Sequence, residues 1–240
     1  MTSNNDPPTD EQTIDSITDL CTDAKQQLNS RRDFLGKTAA GATALSLAAT
    51  GVGSAHGDDS TCKDDDKMTD IDVLNYALTL EQLEATFYTR GQQMFTESEI
   101  ESSDAAKRLG TSLQCSTYDY FNLIRDHEQT HVKRLTEVIT DLGGTPVSGL
   151  EFEFPLDSVQ QYFVLAQTFE NLGVSAYDGA IALIENPDLQ TAGATIATVE
   201  ARHASYLNIL NADVPFPTAF DEPKTMEEVL AAAGQFIVDQ

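Results

Sequence analysis

Apolar residues recur at three-and-four spacing in four long stretches, and each stretch reads as an amphipathic helix. The first stripe runs Leu74, Ala77, Leu80, Phe87 and Tyr88, and the second Leu123, Ile124, Leu135 and Ile139. The third offers Phe163, Ala166, Val174, Tyr177 and Ile181, and the fourth Ile196, Leu207 and Leu210. The third helix is expected to end near Glu185 and the fourth to begin about Asp188, across the breaker Asn186-Pro187. The link from Gly143 to Pro155 is too long for a tight turn. Extended, it reaches ~40 Å, about the length of a 25-residue helix. The pattern therefore predicts an all-α four-helix bundle with one long crossover between its second and third helices. A connection over residues 98–117 joins the first two helices. Beyond Asp213, Phe216 and Phe220 lie among prolines, and a short amphipathic C-terminal helix is expected from Lys224 to Val238. That tail is expected to pack on the bundle or on a neighbouring subunit.

The apolar stripes are interrupted by acids and imidazoles that share their phase. Glu81 and Glu84 lie on the first stripe, Glu128 and His131 on the second, Glu170 on the third, and Glu200 and His203 on the fourth. A bare carboxylate among leucines is costly, so it must be paired, protonated or bound to metal. Residues three apart share a helix face, so each Glu-x-x-His can aim two ligands at one point. A dinuclear carboxylate site takes a Glu from each of two helices and a Glu-x-x-His from each of the other two. Glu81, Glu128 with His131, Glu170, and Glu200 with His203 supply that set. The chain holds only four histidines, and two of them fall in this pattern. The second half also echoes the first. Tyr88 follows Glu81 by seven residues, as Tyr177 follows Glu170, so each Tyr lies on its Glu's face. A helical hairpin used twice would place the ligands around a pseudo-two-fold axis.

These stretches resemble the ferritin-like superfamily, in its branch of small exported proteins. LNYALTLEQLEATFY, DHEQTHVKRL, FENLGVSAY and VEARHASYL carry the likeness, over about residues 69–211. The resemblance implies a ferritin-like bundle and two iron or manganese ions held by Glu81, Glu128, His131, Glu170, Glu200 and His203. It also implies chemistry with oxygen or peroxide, as in a di-iron oxidase, a ferroxidase or a peroxide-consuming protein. Glu84 stands as an outer partner, an extra ligand or an edge charge; Glu81 is preferred because its Tyr spacing matches that of Glu170. Tyr88 and Tyr177 stand as hydrogen-bond donors to ligand carboxylates, as electron donors, or as packing residues. His127 takes the place of an acidic residue common in relatives, and it is expected at the boundary with a looser hold on a ligand imidazole. Two readings from other classes stay open: a structural or stress-protective bundle, with or without metal, and storage in a hollow cage.

The remaining sequence speaks of location. Ser30-Arg31-Arg32-Asp33-Phe34-Leu35 resembles the twin-arginine export signature, followed by a mild apolar run from Thr38 to Val52 and small residues near Ala55. The expected partition is a signal with an acidic N-terminal extension over 1–55, a polar linker over 56–68, the bundle over 69–212 and a tail over 213–240. The partner this implies is the twin-arginine translocation machinery, with the protein released outside the cytoplasmic membrane. Outside the cytoplasm, Cys62 and Cys115 can pair. The net charge of −25 excludes nucleic acid and a stable contact with anionic membranes, both of which demand basic patches. Acidity spread over a folded domain points to a high-salt habitat, where screening suppresses self-repulsion. A homodimer is compatible with all of this.

Overall fold

The computed structural model describes residues 68–238. Four long helices dominate them: α1 (Asp70–Met94), α5 (Thr117–Asp141), α6 (Val159–Ile181) and α7 (Pro187–Leu210). Three short helices, α2 (Glu97–Glu101), α3 (Asp104–Lys107) and α4 (Thr111–Gln114), fill the connection between α1 and α5. After α7 come α8 (Met226–Ala233) and a 3₁₀ turn, Gly234–Phe236.

Local chemistry sets the helix ends. The Thr69 hydroxyl accepts from the Asp72 backbone N–H, and the Asp72 carboxylate accepts from the Thr69 N–H, a reciprocal cap for α1. Ser158 caps α6 through the Gln161 N–H. Asn186 caps α7 and places Pro187 in the first turn, where its missing N–H has no partner to lose. The sequence pattern carried the third helix on to Glu185; α6 instead stops at Ile181 and leaves residues 182–186 to the turn.

Hydrogen bonds from α1 trace the crossover. Asn75 donates to the Thr145 carbonyl and accepts from the Val147 N–H, Gln82 donates to the Val147 carbonyl, and Arg90 to the Phe152 carbonyl. Fifteen residues of helix separate Asn75 from Arg90, about 22 Å, so the crossover runs most of the bundle's length. It delivers the chain from the N-terminal end of α1 back to its C-terminal end. Hence α6 runs with α5, and α7 runs with α1. The Asp70 carboxylate closes the far end by accepting from the Glu185 and Asn186 N–H groups. Among the described residues no helix is long and apolar enough to cross a membrane.

The tail is shorter in helix than its sequence pattern suggests. α8 spans Met226–Ala233, and the chain then straightens so that Ile237 bridges Phe152 of the crossover. Phe236 stacks edge-on against Phe169 of α6 with centroids 4.9 Å apart. Gly179 makes room for the tail's approach, because a Cβ there would lie 1.9 Å from the Lys224 carbonyl oxygen. Phe216 and Phe220 do not join this packing on the bundle and are 77% and 90% exposed. The prolines on both sides of Phe216 hold this loop off the bundle.

Cys115 is buried just before α5 and is disulfide-bonded. Its expected partner Cys62 lies outside the described residues, as do the twin-arginine segment and nearly all of the linker.

Candidate metal centre

Two apolar layers sandwich a polar one. Toward the C-terminal end of α1 lie Phe87, Tyr88, Phe121, Tyr162, Phe163 and Leu207; toward its N-terminal end lie Leu74, Leu78, Leu135, Ile139 and Tyr177. Between them each long helix contributes its charged residues. Glu81, Glu128, Glu170 and Glu200 are fully buried, and His203 is nearly so.

The side chains converge as two overlapping clusters. Glu81, Glu128, His131 and Glu200 offer ligand atoms all within 4.8 Å of one another, and so do Glu128, Glu170, Glu200 and His203. Glu128 and Glu200 belong to both. The His131 Nδ1 lies 3.1 Å from Glu81 Oε2, 3.1 Å from Glu128 Oε2 and 3.3 Å from Glu200 Oε1. On the other side, the His203 Nδ1 lies 3.1 Å from Glu128 Oε1 and 3.1 Å from Glu170 Oε2. All six expected ligands thus meet in one layer, a histidine in each cluster and two carboxylates shared.

The tyrosines bind across the repeat, each serving the other half's carboxylate. The Tyr88 hydroxyl donates to Glu170 Oε1 at 2.5 Å, and the Tyr177 hydroxyl donates to Glu81 Oε1 at 2.5 Å. Burial raises both hydroxyls well above their usual range, with Glu170 and Glu81 adding to it, so both stay protonated donors. Each leaves its carboxylate one oxygen for the cluster. Spacing within a helix cannot reveal this exchange, because it depends on which helices face one another.

His127 lies at the boundary, beside a ligand imidazole. It is half-buried, and its Nδ1 lies 2.9 Å from the His203 Nε2 with the rings nearly parallel. Burial and then His203 hold its pKa below the usual histidine value, so it is a neutral acceptor. His203 turns Nδ1 to the carboxylates and donates Nε2–H to His127, which fixes both its tautomer and its ring plane. His127 therefore tightens the hold on His203. Its Ala variant is expected to bind metal ~10–100-fold more weakly, the usual cost of losing such a partner, and His127→Asp to recover it by restoring an acceptor. A chelator-competition titration in which both variants match the wild type would remove His127 from the site.

Burial and mutual proximity set the protonation states. Burial drives Glu81 up to about 7, with Glu128 adding to it, and drives Glu200 well above the usual carboxylate range, with Glu128 and Glu170 adding to it. Glu128 goes the other way: burial opposes its charge, but bonds from His131 and His203 prevail and bring it down to about 2. Burial likewise opposes the imidazolium at His131 and His203, yet the surrounding carboxylates raise them to about 12 and about 11.

Residues 69–212 match the model of the ferritin-like domain. The chain belongs to that family. No curated protein gives a significant match to it. The ferritin-like bundle accounts for the parallel middle helices and for the crossover, and its shared polar layer is a group of acids and histidines able to hold metal ions.

The donor set can be weighed against such ions. Glu128 Oε1 and both Glu200 carboxylate oxygens are buried without a well-aligned hydrogen-bond donor. The imidazoles at 3.1 Å from Glu128 Oε1 and 3.3 Å from Glu200 Oε1 are their nearest cationic partners, and buried acids so crowded are costly without further positive charge. Mixed carboxylate and imidazole donors suit iron and manganese. The residues fit a pair of such cations.

Proposed function

We propose that this ferritin-like protein binds two iron or manganese ions in its buried polar layer and carries out redox chemistry on dioxygen or peroxide there. The observation that carries the reading is the sharing of Glu128 and Glu200 between two buried four-residue clusters of carboxylates and imidazoles. Glu128 and Glu200 would help hold both ions; His131 and Glu81 would help hold one, and His203 and Glu170 the other. Two ferrous ions, when bound, supply two electrons, which with two protons convert peroxide to water or dioxygen to peroxide. The protein's own residues do the rest. Tyr88 and Tyr177 hold the outer carboxylates in place, and His127 holds His203. The aromatic layer of Phe87, Phe121 and Tyr162 keeps bulk water from the centre. We further propose, from the twin-arginine pattern, that the protein is loaded in the cytoplasm and exported already folded.

The test is elemental analysis of protein purified in high salt without added metal, followed by anaerobic ferrous reconstitution. About two iron or manganese ions per chain are expected, and oxidation of the ferrous protein by oxygen or peroxide should follow in stopped flow. No uptake under either condition would leave a purely structural bundle.

A further inference from the structure

The internal repeat differs between α1 and α6 one turn beyond the ligand glutamates. Three residues after Glu81 stands Glu84, and three residues after Glu170 stands Gly173. Both face the polar layer from neighbouring helices. A Cβ on Gly173 would lie 3.3 Å from Glu84 Oε1 and 3.4 Å from Glu200 Oε2. The Glu84 carboxylate and the shared Glu200 carboxylate therefore flank the space that the glycine leaves open. Glu84 is 4% exposed. The carboxylates of Glu200, Glu170, Glu128 and Glu81 are the strongest charges acting on it. Glu84 and Gly173 line one small cleft, whose other walls, Leu83, Phe169 and Ala233 among them, are apolar. A buried acid crowded by other acids is offset either by keeping its proton or by a cation.

We propose that Glu84 is a seventh ligand of the two-metal centre, placed beside Glu200 in the space Gly173 leaves open. The inference rests on the two-metal reading above. It makes the two halves of the site unequal, because only α1 carries the extra carboxylate. The repeat then supplies one additional ligand where strict symmetry would supply two in the same volume.

Anaerobic titration of the full chain with ferrous ion, and separately with manganese(II), tests it against two variants. Glu84→Gln keeps the shape and removes the charge; Glu84→Asp keeps the charge and shortens the reach by one methylene. A ligand is lost in both. Each variant is expected to bind at least one of the two ions about tenfold or more weakly, no less than the ~10–100-fold cost of losing an outer partner. Melting curves of the metal-free variants confirm that the bundle is intact. Wild-type affinity in Glu84→Asp with weakened binding in Glu84→Gln would mean that Glu84 acts only through its field, and the proposal fails. Wild-type affinity in both also overturns it. Failure of the underlying reading looks different: the wild type itself takes up neither ion.

Discussion

Glu128→Ala is expected to empty both metal positions, whereas Glu81→Ala should empty one. The difference follows from membership: Glu128 lies in both clusters and Glu81 in only one. Removing Glu128 takes an oxygen from each coordination shell and leaves His131 and His203 without the carboxylate nearest to both. Removing Glu81 leaves Glu128, Glu170, Glu200 and His203 complete. Glu200→Ala should behave as Glu128→Ala does, and Glu170→Ala as Glu81→Ala does. Truncating one partner of a buried ionic set also costs stability, about 3–5 kcal/mol, so Glu128→Gln serves as the control that keeps volume and loses charge. Metal per chain by elemental analysis, with circular dichroism to verify the helices, reads the result. One ion retained in both Glu128→Ala and Glu81→Ala would sink the assignment of Glu128 as a shared ligand.

Much of this site is legible in the chain because helical phase is local. Glu81, Glu128, Glu170 and Glu200 fall on stripes whose other members are apolar, so burying the stripe must bury them too. The crossover is legible for a similar reason, since thirteen residues without a helical stripe exceed what a tight turn needs. What phase cannot give is the pairing between helices. His127 is displaced by about 100° from Glu128 around α5, off the stripe, and only the position of α7 brings it to His203. The crossed Tyr88–Glu170 and Tyr177–Glu81 bonds are hidden in the same way. A residue that matters through absence is harder still. Gly173 shows nothing in sequence beyond a weak helix position, and its role emerges only beside the Glu84 and Glu200 oxygens. The tail packs on the bundle through Phe236 and Ile237, while Phe216 and Phe220 stay exposed on the single chain.

Raising the pH is expected to move the metal-free and metal-loaded proteins in opposite directions. In the metal-free protein burial raises Glu81 to about 7 and raises Glu84 and Glu200 well above the 4.5 of an ordinary glutamate. His131 and His203, raised to about 12 and about 11, also lie above the usual 6.5. For all five groups the folded state holds its proton more tightly than the unfolded chain. Their contribution is complete below the unfolded values and is lost as pH rises through the folded ones. Glu128 has the contrary sign, but its contribution is lost only as pH falls from 4.5 toward about 2. Between pH 5 and 8 the metal-free protein should therefore weaken, by about 1.4 kcal/mol per pH unit for each excess proton held. The metal-loaded protein gains over the same range. Ligands bind metal deprotonated, so protons must leave and affinity climbs with pH. Tighter binding to the folded state alone raises its stability by mass action. High salt should raise the stability of both forms by screening the acidic surface but change the gap between them little, because the groups that set it are buried. Thermal melts at pH 5, 6, 7 and 8, with and without ferrous ion under nitrogen, should show a Tm gap that widens at every step. Calorimetry in buffers of different ionisation enthalpy should show net proton release on binding at pH 7. A gap that stays constant or narrows would mean that the metal, if bound, does not sit on these carboxylates and imidazoles.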